Sequence, residues 1–441
     1  MPILPYAVEK RSARFAEQRW LLDAVIKLIG PEWDQSRITY MMAPCSPDAQ
    51  IAFAGLHTSI KKYDDMAPEM TKVARRMEIR AKQAQQQGHS ITAGDHFFAA
   101  AVLYGGAQWP IFDNTPFNLA LGEKKNECYG EYMKLADHHV EKVEVPYQGK
   151  TLPGYFHSPP GYKASDGPLP CLLMITGMDG IKEFSVSSSA DRFLRRGFAC
   201  LALDGPGQGE CLTRGIWYDP DTYGEVGTSA CEYLAGRSEV DAQKIMAFGL
   251  SFGSYWATQA TAAEPRIAAC AVTYTCFQPG AYPLMEMASP TFKQRQMYLA
   301  GIHDEAAFAA YTEKIDARKF SGQIKVPYLV IAGEDDELSD IGYAFEHLNR
   351  VQGPKTLVLY SGGVHEIGPV PSYLLGPFNF VIMADWLRDR ADGKPLESQY
   401  IPVDSTGQMH PQPWGENRAY EYGAPLDFRH LFGDSPETGT A

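Results

Sequence analysis

No stretch of this 441-residue chain is apolar for the length that a bilayer crossing needs, and its start, Met1 to Lys10, has no basic segment leading into an apolar one. Both absences argue for a cytosolic protein without a membrane partner. Positive charge is in deficit as well. Lys and Arg number 40 against 53 Asp and Glu, a formal net charge of −13, and the basic residues are scattered. Such a chain repels a phosphate backbone, so nucleic acid is not an expected partner. The eight cysteines contain no Cys-x-x-Cys pair. Cys171, Cys200 and Cys270 fall in or beside apolar runs, where a thiol serves as a small core residue. No disulfide framework is therefore expected, and a reducing compartment is. His138 and His139, with Glu141 nearby, lack a further ligand at usable spacing and read as a surface helix end, so no metal and no other cofactor is expected. There is no internal repeat.

What the chain does have is Gly249-Leu250-Ser251-Phe252-Gly253, set between the apolar run Ile245–Phe248 and the helix-forming stretch from Tyr255 to Ala263 that stops near Pro265. A serine hydroxyl becomes a useful nucleophile only when it is lifted clear of its neighbours and a base can take its proton. A tight strand-to-helix turn flanked by glycines does the lifting. Upstream, residues 240–244 read as a turn feeding a short buried strand. Downstream, the apolar run from Val326 to Gly333 is followed by Glu334-Asp335-Asp336-Glu337, and Leu357–Tyr360 by Ser361-Gly362-Gly363-Val364-His365. An acid after one strand and a histidine after the next, both C-terminal to the serine, resembles the Ser, Asp, His order of α/β-hydrolases. Asp336, three residues past Gly333, is assigned as the acid, with Glu334 and Asp335 flanking it in solvent. His365 would take the Ser251 proton and Asp336 would hold its ring and stabilise the imidazolium.

An oxyanion needs two backbone donors. One expected donor is the amide of Phe252. The other is that of Met178, in the glycine-bearing loop Gly177-Met178-Asp179-Gly180-Ile181-Lys182-Glu183 that follows the apolar run Leu169–Thr176. A second apolar run, Phe198–Leu203, ends in Asp204-Gly205-Pro206-Gly207-Gln208-Gly209-Glu210. Its glycines suggest a phosphate loop, but a Gly-Lys-Ser/Thr ending is missing and no later ribose-binding acid stands at a fitting spacing. It reads instead as a tight strand-to-helix turn beside the floor of the site.

Those two loops and the elbow at Ser251 resemble the group of α/β-hydrolases that includes 2,6-dihydroxypseudooxynicotine hydrolase, fungal heptaketide hydrolases and the fermentation-respiration-switch esterases. The resemblance runs from about Ile91 to about Arg390, and the Lys182-Glu183 ending and the Asp-Gly-Pro-Gly-Gln-Gly run are its more specific parts. It implies hydrolysis of a carbon–carbon bond next to a ketone, or of an ester, in an aromatic or polyketide-like small molecule. It also implies a homodimer and an assisting catalytic role for Glu183. The alternative for Glu183 is a place in the first turn of a following helix, where its charge suits the dipole. Gly180 departs from the serine expected in this loop, which weakens any carry-over of substrate. An acyltransferase or cyclase on the same three residues, or a noncatalytic binding protein of this fold, are the alternatives for function.

The expected architecture is a mostly parallel sheet covered by helices, with three segments. Residues 1–138 form a helical cap region, in which Met66 to Gln87 and Thr92 to Tyr104 are helix candidates. Residues 139–390 form the α/β core, with a lid insertion at about 277–322, and residues 391–441 form an extended tail. Tyr104, Trp109 and Phe112 read either as the wall of an aromatic substrate pocket or as plain core.

Overall fold

The computed structural model describes residues 11–33, 41–189 and 191–420. Met1 to Lys10, on which the reading of a missing leader rests, and residues 421–441 of the tail lie outside the described residues.

Ten strands are formed among the described residues: β1 (Val140–Tyr147), β2 (Lys150–His157), β3 (Leu169–Ile175), β4 (Ala199–Leu203), β5 (Val240–Leu250), β6 (Ile267–Thr273), β7 (Tyr328–Gly333), β8 (Lys355–Tyr360), β9 (Gln399–Val403) and β10 (Gln412–Pro413). They make one sheet in the order β1-β2-β4-β3-β5-β6-β7-β8-β9-β10. β2 is antiparallel to β1 and β4, the pairs from β4 through β9 are parallel, and β10 returns antiparallel on β9. The expected mostly parallel sheet covered by helices is the one observed.

The central strands β3, β4, β6 and β7 read as continuous apolar runs because both faces of the sheet are covered there. Alternate residues separate onto two cores. Cys171, Leu173, Ala199, Leu201, Ile245, Ala247 and Val330 enter one with the helices Tyr223–Ala235 and Phe252–Ala263. Leu172, Met174, Cys200, Ala202, Met246, Phe248 and Ile331 enter the other, against the helix Asn379–Ala391. The first core centres on Trp256, fully buried and stacked on Tyr223 at 4.4 Å between ring centroids and 2° between planes.

The helices before β1 have a third core of their own. On the helix Met66–Gln86, Met66, Met70, Val73, Met77, Ala81 and Ala84 recur every three or four residues and are buried. They pack against the helix Ser90–Gln108, buried almost throughout, which in turn packs on Pro116–Met133. This core reaches the sheet domain at Tyr155, Ile181, Phe184 and Tyr298.

Three local expectations are corrected. Residues 240–244 are not a turn: β5 starts at Val240, paired with Leu169 of β3. His138 is no surface helix end; it is buried, and its Nε2 lies 3.0 Å from His157 Nδ1. The sheet also continues past residue 390, because the segment Gln399–Val403 lies parallel to β8.

The close Tyr223 stack makes Trp256 hard to replace. Trp256→Ala should lose about 3–5 kcal/mol of unfolding free energy in a urea titration; a loss below about 1 kcal/mol would show that this core relaxes around the gap.

Candidate active site

β5 ends at Leu250 and the next helix starts at Phe252, so the chain must reverse within Ser251. It does so at φ 55° and ψ −127°, a conformation costing a non-glycine residue about 1–3 kcal/mol. Two backbone bonds hold it: Ser251 N–H donates to Thr273 O at 3.0 Å and Ser254 N–H to Ser251 O at 2.7 Å. The flanking glycines are set by close approach. A Cβ on Gly253 would lie 2.2 Å from Ile175 O, and one on Gly249 would lie 2.7 Å from Gly253 O.

The hydroxyl so presented lies 2.9 Å from His365 Nε2. On the other side of the ring, Nδ1 is 3.0 Å from each carboxylate oxygen of Asp336. With Asp336 ionised, Nδ1 carries the proton and Nε2 is free to accept one. Asp336 is oriented in turn by the amides of Leu338 and Ser339, which donate to Oδ1 at 2.9 and 3.1 Å. Burial alone would lower the His365 pKa, but the charges of Asp336, Glu337 and Glu366 and the bond to Asp336 outweigh it, and the imidazole rises above its usual 6.5.

The loops that carry Asp336 and His365 lean on each other. A Cβ on Gly333 would sit 2.3 Å from the carbonyl oxygens of Gly363 and Val364. Glu334 accepts from Ser361 Oγ and Gly362 N, both at 2.8 Å, and Glu337 accepts from His365 N at 2.8 Å. Glu334 is therefore a brace and not a solvated flank, whereas Asp335 is exposed as expected.

Gly177-Met178 lies directly over the elbow: a Cβ on Gly177 would be 3.0 Å from Ser251 Cβ and 3.5 Å from Phe252 N. The amides of Met178 and Phe252 have no backbone acceptor among the described residues. Gln208, in the glycine-rich turn after β4, holds this loop from below, donating to Thr176 O at 3.0 Å and Gly177 O at 2.7 Å while its Oε1 accepts from Tyr223 at 3.0 Å.

A cavity of about 760 Å³ opens over Ser251 and His365. Met178, Phe184, Phe248, Leu284, Phe292 and Phe380 give it an apolar wall. Arg14, Gln18 and Leu21 reach it from the N-terminal helices Ala13–Glu17 and Arg19–Ile29. Arg14 Nη2 donates to the carbonyls of Met287, at 3.2 Å, and Ala288, tying these helices to the segment Pro283–Met287 in the expected lid.

Ser251, His365, Asp336, Met178 and Phe252 thus come together. The three expected aromatic wall residues do not join them. Tyr104 is buried in the helical layer with its hydroxyl donating to Glu78 at 2.8 Å, and Phe112 packs edge-on against Phe15 at 5.6 Å. Trp109 donates its indole N–H to Asp179. They face inward because the layer has a core to fill. Glu183 does not line the cavity either. Its carboxylate is fully buried between Lys125, at 2.6 Å, and Lys182, at 2.9 Å, whose charges hold its pKa down against the effect of burial. Residues 182–186 are turns, so the helix that the dipole reading needs is absent. Tyr274 was missed: it lines the cavity beside His365, at 6.1 Å between rings. Its signal was its place just after β6, since the ends of parallel strands line the crevice of such sheets.

A sequence profile of the esterase FrsA-like family matches residues 69–307, more than half of the chain. The chain belongs to this family. Members of the family are α/β-hydrolases, and so is this enzyme. It is 29% identical over 329 residues to the 2,6-dihydropseudooxynicotine hydrolase of Paenarthrobacter nicotinovorans, spanning 72% of this chain and 82% of that one. It is 27% identical over 249 residues to the alpha/beta hydrolase xenA of Xenoacremonium sinensis, spanning 55% of this chain and 57% of that one. Among solved structures, the crystal structure of the 2,6-dihydroxy-pseudo-oxynicotine hydrolase superposes with a TM-score of 0.68 at 24% identity, covering 81% of this chain and 97% of the other.

The approach of β3 to the elbow gives a direct expectation. Gly253→Ala should abolish soluble folded protein or lower the thermal midpoint by several degrees, because the atoms that its methyl would meet are backbone; an unchanged midpoint in a thermal melt would contradict the contact.

Proposed function

We propose that this FrsA-like protein is a serine hydrolase that cleaves a carbon–carbon bond next to a ketone, or an ester, in an apolar aromatic or polyketide-like small molecule. The observation that carries the reading is the continuous relay from Ser251 through His365 to Asp336 at the floor of the cavity. The names of its relatives as hydrolases agree with it.

In this reading the substrate carbonyl carbon lies over Ser251 Oγ. The hydroxyl proton passes to His365 Nε2 as Oγ bonds to that carbon, and the carbonyl electrons move onto oxygen. The Met178 and Phe252 amides receive the oxyanion. Collapse expels an alkoxide or an enolate carbanion, which takes the proton from His365, and an acyl-serine remains. Water then repeats the sequence, losing its proton to His365 and releasing the acid and the serine. Asp336 keeps its charge throughout. The apolar wall favours a substrate that leaves water readily.

Ser251→Ala should lower turnover about 10⁴- to 10⁶-fold with an unchanged thermal midpoint, and should abolish labelling by a fluorophosphonate. Turnover retained in this variant would end the reading. A panel of aryl 1,3-diketones and esters should outperform short polar esters in kcat/KM; the reverse ranking would remove the substrate class but not the relay.

The pH dependence follows from the sign of the His365 shift. The neutral imidazole is the working form, and a raised pKa keeps the proton on to higher pH, so activity should fall on acidification with a midpoint above 6.5. Asp336→Asn should move that midpoint down and lower kcat by about 10⁴-fold. A wild-type midpoint well below 6.5 would contradict the environment described for His365.

A further inference from the structure

The Met178 loop is held by the helical layer at two points that the proton relay does not use. Trp109, at the end of the Ser90–Gln108 helix, donates its indole N–H to Oδ1 of Asp179, the residue next to Met178. Lys125, from the Pro116–Met133 helix, reaches Glu183 at the other end of the loop at 2.6 Å. Trp109 is itself fixed, being only 3% exposed, packed edge-on against Phe112 at 5.8 Å and overlain by the Arg295 guanidinium at 5.7 Å. Asp179 lines both the large cavity and a void of about 20 Å³ that Trp109 also lines.

Two physical demands meet at Asp179. An oxyanion donor works only if it is already aimed, and a displacement of about 1 Å costs on the order of 10²-fold in rate. The donor loop has glycine at 177 and 180, so its backbone supplies little stiffness of its own. A carboxylate one residue from the place where negative charge develops also opposes that charge, unless a donor holds it and spreads its field. The Trp109 indole meets both demands.

We propose that Trp109 is a positioning residue: through its bond to Asp179 it fixes the Met178 amide, so the helical layer presets the oxyanion site as well as covering it. The inference rests on the reading of Met178 and Phe252 as oxyanion donors, and goes beyond it by assigning the loop's support to a residue outside the cavity.

The test is a double-mutant cycle in the full chain with Trp109→Phe, Asp179→Ala and both together. Each is assayed for the acylation rate constant and KM on an aryl ester and for the affinity of a phenylboronic acid, which mimics the tetrahedral state. Trp109→Phe removes the donor and keeps a ring. It should slow acylation about 10- to 100-fold, leave KM within about twofold, and weaken boronate binding by the same factor as kcat/KM. The double variant should be no slower than the slower single one. Wild-type acylation in Trp109→Phe, or losses that simply multiply in the double variant, would overturn the proposal. Should Trp109→Phe fail to fold, Asp179→Ala alone decides it: parallel losses of acylation and boronate affinity support the positioning role, and a change in KM alone overturns it. Ser251→Ala separates the two levels. If that variant turns over substrate, the hydrolase reading itself has failed; if it is inert while Trp109→Phe is normal, only the positioning role has.

Discussion

The contact on which the site depends is between the carboxyl end of β3 and the turn after β5. Ile175 O and Thr176 O come so near Gly253 that a Cβ there would be 2.2 Å from one and 2.7 Å from the other. No side chain fits between these strands' ends, so the loop after β3 is laid across the turn, and Gly177 arrives within van der Waals reach of Ser251 and the Phe252 amide. That approach brings the loop carrying the Met178 amide beside the Phe252 amide, while the bond to Thr273 O holds the Ser251 backbone and Gln208 holds the loop. Close packing of this kind is bistable rather than adjustable: a methyl group at the contact has no small accommodation.

Beneath that loop is a cluster of charge that would be costly if any part of it were unpaired. Lys182, with no exposed side-chain surface, touches Glu183 and Asp204 at 2.9 Å and Glu210 at 3.1 Å; Lys125 meets Glu183, and Arg214 meets Glu210 at 2.6 Å. Arg214 also binds Glu144 at 2.7 Å at the exposed edge of the cluster, so three cations meet four carboxylates. Lys182 is held charged, its pKa well above the ordinary value because the carboxylates outweigh burial, and Lys182 together with Arg214 draws Glu210 down to about 2, whereas burial lowers the Lys125 pKa. A buried pair of this kind adds little net stability over apolar packing, but removing one member leaves an uncompensated charge costing about 3–5 kcal/mol. The cluster also fixes relative positions. Asp204 accepts from the amides of Lys182 and Glu210, at 2.8 and 2.9 Å, so the loops after β3 and β4 are joined through one carboxylate.

How much of this could be read beforehand follows from where the information sits. Ser251, Asp336 and His365 lie one, three and five residues past the ends of β5, β7 and β8, and a parallel sheet gathers the ends of its strands, so chain order points to their meeting. Position within a run also separated Asp336 from its acidic neighbours. Glu334 was misjudged because its role is a contact with the 361–362 loop, which no local pattern announces. Trp109, Phe112 and Tyr104 were ambiguous for the same reason. Aromatic residues ahead of a hydrolase core suit a pocket wall and a helical core equally, and the choice depends on whether the helices have enough apolar surface to close on themselves. These do, around Met70, Met77 and Phe97.

The helical layer therefore meets the sheet domain in two different ways. Its last helices are bound to the loop after β3 through Trp109 and Lys125, both buried. Its first helices meet the cavity through Arg14, Gln18 and Leu21, and Arg14 binds the carbonyls of Met287 and Ala288 in contacts that are partly open to solvent. Buried charge-assisted bonds cannot exchange for water without loss, whereas a partly exposed guanidinium releasing carbonyls can take up water in their place. The same layer thus holds the loop over Ser251 through dry contacts and meets the rim of the cavity through wetter ones.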